Sequence, residues 1–132
     1  MFKLFGIAVV VATIFFGLAV VPQVEAGYGH VFKTGDGKWD GNVKTTSTYN
    51  MAEVVLYNLK PNVKASTLKV RLCSRSTGNC TNYKTVGDFE GAYLVSFSYL
   101  KPATYDVDVA YTGSGSVSGK LDAIAGREIP KN

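Results

Sequence analysis

The chain has 132 residues, with 14 Lys and Arg against 10 Asp and Glu, a formal net charge of +4 and a sequence pI near 9.1. That length holds one domain and excludes a catalytic domain with a separate accessory one. The composition also excludes collagen-like, coiled-coil and highly charged disordered chains.

The first 26 residues carry about 19 of the roughly 61 apolar residues, so the remainder is only ordinarily hydrophobic. Lys3 gives this segment a positive start. An apolar run from Phe5 to Val21 follows, interrupted by Gly6, Thr13 and Gly17, and Pro22 ends it. Val24-Glu25-Ala26 then places small residues at the −3 and −1 positions that signal peptidase reads. The pattern predicts a secretory signal peptide over residues 1–26, cut after Ala26, and a secreted single domain over residues 27–132. The alternative is a retained anchor, for which a run of about 17 residues is the short limit for spanning a bilayer.

Beyond residue 27 the hydrophobic period is two, as a half-buried strand requires. In chain order, strands are predicted at Tyr28–Lys33, more weakly near Trp39–Thr45, and at Met51–Leu59. Ser66–Ser74 sets Leu68, Val70 and Leu72 on one face and Lys69 and Arg71 on the other. Cys80–Val86 follows, then Gly91–Tyr99 with Tyr93, Val95, Phe97 and Tyr99 aligned. Thr104–Thr112 alternates Tyr105, Val107, Val109 and Tyr111 with Asp106 and Asp108, and Gly115–Asp122 alternates Val117 and Leu121 with Ser118, Lys120 and Asp122. Ala123–Asn132 reads as a final short strand or a tail. Turn chemistry separates the strands at Thr34–Gly37, Lys60–Asn62, Ser76–Asn79, Gly87-Asp88, Lys101-Pro102 and Thr112–Gly115. About seven or eight short strands at this spacing predict an all-β antiparallel sandwich, Ig-like or jelly-roll-like, with one face of each sheet buried and the other wet. Tyr57-Asn58-Leu59-Lys60-Pro61 is echoed by Ser98-Tyr99-Leu100-Lys101-Pro102, one strand-exit solution used twice.

Cys73 and Cys80 are the two thiols, and an even count in an exported chain predicts a disulfide. It would staple the hairpin turned by Ser-Thr-Gly-Asn. Zinc is disfavoured, because two Cys without C-x-x-C spacing and one His do not make four ligands.

From Leu68-Lys69-Val70-Arg71-Leu72 through Leu100-Lys101-Pro102-Ala103-Thr104-Tyr105-Asp106-Val107-Asp108-Val109, the chain resembles small secreted bacterial β-sandwich modules. Two groups are similar: Cna-B/transthyretin-like modules and pre-peptidase C-terminal modules. The resemblance covers roughly residues 66–121, with Ala103 where Gly is usual. It implies a β-sandwich with a binding or spacer role, and it transfers no catalytic residue. Pro102 is expected to end one strand and Tyr105 to hydrogen-bond back across the corner.

The inventory for catalysis is thin. His30 is the single His, so any Ser-His-acid triad must use it, near the start of the mature chain where fraying is common. No phosphate-binding loop or nucleophile elbow is present. Asp106 and Asp108 project from one strand face, where with Asp88 or Asp122 they would bind calcium or would simply solvate the sheet. Thr34–Asn42 lacks the oxygen ligand at Lys38 and the closing Glu of an EF-hand. Trp39, in a polar Gly-rich segment, is the candidate ligand-binding residue, with Tyr28 or Tyr49 completing a platform for a sugar ring. No cofactor, metal or nucleic-acid partner is expected, and no stable membrane insertion after cleavage. The expectation is a non-enzymatic secreted protein that binds a polysaccharide, the cell wall or a surface protein. The alternative is a small cationic antimicrobial or toxin-like protein.

Overall fold

The computed structural model describes residues 20–22 and 27–128. Of the expected signal peptide only Val20–Pro22 is among them, and the cleavage position after Ala26 lies outside. The strands are β1 (Val20–Pro22), β2 (Gly27–Lys33), β3 (Gly41–Lys44), β4 (Met51–Lys60), β5 (Leu68–Ser74), β6 (Lys84–Thr85), β7 (Gly87–Phe89), β8 (Ala92–Phe97), β9 (Thr104–Tyr111) and β10 (Ser118–Glu128). One sheet runs β1-β10-β4-β8-β7, with β2 also paired to β10, and the second runs β3-β9-β5-β6. Every pairing is antiparallel. The fold is therefore the expected all-β antiparallel sandwich. β1 and β2 lie end to end along one side of β10, against Gly126–Glu128 and Ser118–Ala123 respectively.

The two-residue rhythm is what packs the sheets. Leu68, Val70 and Leu72 of β5 and Val107 and Val109 of β9 face Ala52, Val54 and Leu56 of β4 and Leu121, Ala123 and Ala125 of β10 in one buried core. The sheets come closest at the β2–β3 side. A Cβ on Gly41 would lie 2.8 Å from Leu121 Cδ2 and 3.2 Å from His30 Cδ2, so the approach depends on glycine. His30 is half-buried there, and its Nε2 is buried without a hydrogen-bond partner.

Several elements differ from expectation for local reasons. Of Cys80–Val86, only Lys84–Thr85 joins a ladder, with Cys80 forming an isolated bridge to Cys73. Gly87-Asp88, expected as a turn, opens β7. The chain changes sheets at Val86, which is buried and donates its N–H to Leu68 O at 2.9 Å. The turn that joins β7 to β8 is Glu90-Gly91, both at positive φ (56° and 92°), with Gly91 N–H donating to Asp88 Oδ1. Tyr99 leaves the face expected of it, because β8 stops at Phe97 and Tyr99 sits at φ 57°, 86% exposed. Up to Glu128 the segment after Asp122 is strand: Ala123, Ile124 and Ala125 are fully buried and continue β10.

The repeated pentapeptide is a repeated conformation. Asn58 (φ 54°) and Tyr99 (φ 57°) occupy equivalent places, and the leucines that follow, Leu59 and Leu100, both pack on the core. At the second copy the corner is tied down by polar groups. Tyr105 donates its hydroxyl to Lys101 O at 2.8 Å, as the corner required. Thr45, buried, donates to the same carbonyl at 2.8 Å and accepts Ala103 N–H at 3.2 Å. Thr45→Ala leaves that half-buried amide without its side-chain partner. It is expected to lower stability by about 1–2 kcal/mol, read as a lower urea midpoint at unchanged slope.

One face contradicts the simple sandwich. The outward side of the first sheet is not wet. Met51, Val55, Leu94 and Ile124 are at most 5% exposed and form a second apolar cluster, with Tyr28, Tyr57 and Ala92 around it. Asp122 on this face is also buried. Its Oδ1 accepts Tyr57 O–H at 2.9 Å and Gly29 N–H at 2.6 Å.

Candidate ligand-binding face

The outward side of the second sheet is polar by construction. Alternation sends Lys69 and Arg71 of β5 and Asp106 and Asp108 of β9 away from the core, because their neighbours Leu68, Val70, Leu72, Val107 and Val109 are buried. The register places Arg71 directly opposite Asp108 and Cys73 opposite Asp106. Arg71 Nε lies 2.9 Å from Asp108 Oδ2, and Arg75 Nη2 lies 2.6 Å from Asp106 Oδ1. Each aspartate is thus occupied by an arginine rather than arranged with its neighbour for a cation. Asp106 is moreover 7% exposed, not a freely solvated group. Among the described residues no three His, Cys, Asp or Glu side chains are grouped to hold a metal ion.

The disulfide sets what lies over this face. Cys73 and Cys80 are bonded. Beyond the bridge, Thr81 donates its N–H to Leu72 O at 2.8 Å and accepts Leu72 N–H on Oγ1 at 3.0 Å. These contacts hold the returning chain on β5 and bring Tyr83 over the cations. Lys69 Nζ is 4.7 Å and the Arg71 guanidinium carbon 4.8 Å from the centre of the Tyr83 ring. The Tyr83 hydroxyl donates to Asp108 Oδ2 at 2.7 Å. Burial, and then the bond to Asp108, push the Tyr83 hydroxyl above its usual pKa, against the opposing charge of Arg71. The Asp106 carboxylate beside it raises Arg75 further. Tyr83 remains 37% exposed, with Lys69 and Arg71 beneath its ring, the Arg75–Asp106 pair on the same face and the Asp108 and Asp40 carboxyls close by.

The expected aromatic platform is not brought together. Trp39 is 54% exposed in the loop between β2 and β3. Tyr28 belongs to the outward cluster of the first sheet. Tyr49 packs against the core between the sheets, in the loop between β3 and β4. That loop is at the opposite end of β3 from Trp39. Trp39 does border the Tyr83 face through its neighbour. Asp40 Oδ2 accepts Val109 N–H at 2.7 Å on β9, and burial, aided by the charges of Asp108 and Asp36, pushes its carboxyl up to about 7. Tyr83 is the residue that sequence reasoning missed. Its signal was a tyrosine three places after Cys80, but only the Arg71–Asp108 register shows what it covers.

Among the described residues no helix is long and apolar enough to cross a membrane. The chain matches no protein-family model, and a search of curated proteins finds no match.

Proposed function

We propose that the chain, once cut after Ala26, is a secreted non-enzymatic protein that binds a polysaccharide at the cell surface or in the matrix, with a preference for anionic polymers. The observation that carries this reading is Tyr83, partly exposed with the cationic ends of Lys69 and Arg71 against its ring. An aromatic ring offers an apolar surface to sugar C–H groups, and flanking cations attract acidic substituents. The Cys73–Cys80 bond supports an oxidising compartment. The resemblance to small secreted β-sandwich modules supports the same class of role.

Isolated cell walls, and acidic and neutral glycans, test the reading by pull-down. Retention is expected on walls and acidic glycans and should weaken as salt screens the charges. Tyr83→Ala is expected to reduce affinity roughly fivefold, the loss of about 1 kcal/mol. Trp39→Ala reports whether the neighbouring loop takes part. Permeabilised liposomes with no retention on walls would favour the antimicrobial reading instead.

A further inference from the structure

We propose that the outward face of the second sheet carries a second anion-binding position, formed by Lys44 and Arg75 on either side of Thr104, and that the ligand of this face is therefore an extended acidic polysaccharide rather than a single sugar. The inference rests on the reading of the Tyr83 face and adds to it the length of ligand that the face takes.

The strand register builds the position. On β3, Asn42 and Lys44 are exposed and alternate with the buried Gly41 and Val43. Lys44 lies directly opposite Thr104 of β9, and Asn42 directly opposite Asp106. Residues directly opposite one another share a face, so Lys44 and Asn42 stand on the outward side with Asp106. On the other side of β9 the chain of β5 runs on past Ser74, and Arg75 donates its N–H to Thr104 O at 2.9 Å. The Arg75 guanidinium reaches Asp106 on the same outward side. Lys44, Thr104 and Arg75 thus form one row across the sheet, with roughly 10 Å between the outer two backbones. The row of Arg71 and Asp108 lies four residues along β9, roughly 13 Å away.

The charges on this row suit an acid group. Two ion pairs occur among the described residues, Arg71–Asp108 and Arg75–Asp106, and neither takes in Lys44. The carboxylate diagonal to Lys44 on β9 is Asp106, which Arg75 Nη2 holds at 2.6 Å. Asp106 is 7% exposed, so it does not rise between the two rows as a negative barrier. The Arg75 side chain above it is 58% exposed. A carboxylate or sulfate placed over Thr104 would meet an ammonium on one side, a guanidinium on the other and a hydroxyl donor beneath. A ligand that stacks on Tyr83 beside Lys69 and Arg71 reaches this second row only if it continues along β9. One sugar ring does not cover that distance, and an extended oligosaccharide with repeated acid groups does.

Galacturonic acid as monomer, dimer and hexamer is the probe, with affinities read by titration calorimetry at low salt. The hexamer is expected to bind roughly tenfold or more tightly than the dimer, because it engages both rows at once. Lys44→Gln should weaken the hexamer roughly threefold to fivefold and leave the dimer unchanged. Lys44 is the better variant than Arg75, whose loss would strand the buried Asp106 carboxylate. Lys120→Gln removes the same charge from the first sheet, where Lys120 is exposed on β10, and should leave both affinities unchanged. Comparable affinities for dimer and hexamer, or equal losses from Lys44→Gln and Lys120→Gln, overturn the second position, while binding that Tyr83→Ala weakens would keep the Tyr83 reading. If no oligomer binds a chain that cell walls retain, this inference fails and wall binding stands. No oligomer binding and no retention on walls or acidic glycans removes both.

Discussion

Raising the pH from 5 to 8 is expected to destabilise the full-length chain by roughly 3–6 kcal/mol, the opposite of the usual behaviour of a protein with paired carboxylates. Two buried acids are responsible. Burial pushes Asp40 up to about 7, with Asp108 and Asp36 adding to the effect and the N–H groups of Val109 and Lys33 opposing it. Burial pushes Glu53 up to about 8, against the Ser96 side chain and the charge of Lys84. Each group holds its proton in the folded chain well above the pH at which the unfolded chain releases it, near 4. Across that window the folded state binds more protons, so stability falls as the pH rises. The fall is complete near pH 7 for Asp40 and near pH 8 for Glu53. The span between ordinary and raised values is worth about 4–5 kcal/mol per group at most, at about 1.36 kcal/mol per unit, and part of it falls below pH 5. Urea denaturation at pH 5, 6, 7 and 8 measures the slope. Glu53→Gln should leave the pH 5 value nearly unchanged and raise the pH 8 value by about 2–4 kcal/mol. Asp40→Asn retains an oxygen to accept Val109 N–H and should remove the lower part of the slope. A flat or rising profile in the unmodified chain refutes the assignment.

The Glu53 environment also shows where the sequence was legible and where it was not. Strict alternation marks β5 and β9, and the residues named from it, Leu68, Val70, Leu72, Val107 and Val109, are those that fill the core. Their alternation is clean because one face of the second sheet meets water. β4 and the end of β10 read differently. Val54-Val55-Leu56 and Ala123-Ile124-Ala125 are continuous apolar runs, the pattern of a strand buried on both sides. Period-two reasoning finds the strand but assigns its second face to solvent. The exposed cluster was hidden for another reason. Arg71 and Asp108 are 37 positions apart, and nothing local in either strand sets which residues face each other. That register is fixed by the core, and Tyr83 follows from it through the disulfide. The aromatic platform failed on the same ground, since Tyr28, Trp39 and Tyr49 are close in sequence but are carried to different faces and ends of the sandwich.

Removing the disulfide is expected to cost about 2–3 kcal/mol, a large share of the roughly 5–15 kcal/mol typical of a small domain. The value follows from the eight-residue loop that Cys73 and Cys80 close, since the bridge restricts the unfolded chain. Cys73→Ala with Cys80→Ala is the better variant than serine, because position 73 is buried and a hydroxyl there would need a partner. The loss should appear equally when the unmodified chain is treated with reductant. It should also reach the candidate site. The bridge and the two bonds between Thr81 and Leu72 are what hold Tyr83 above Lys69 and Arg71. With the bridge gone, the Thr81 bonds alone must keep the segment in register, and ligand retention should fall at temperatures where the domain is still folded. The Tyr83→Ala variant separates the two effects: it should lose retention while keeping the stability of the bridged chain. If reductant lowers neither the urea midpoint nor retention on acidic glycans, the bridge is not what organises this face.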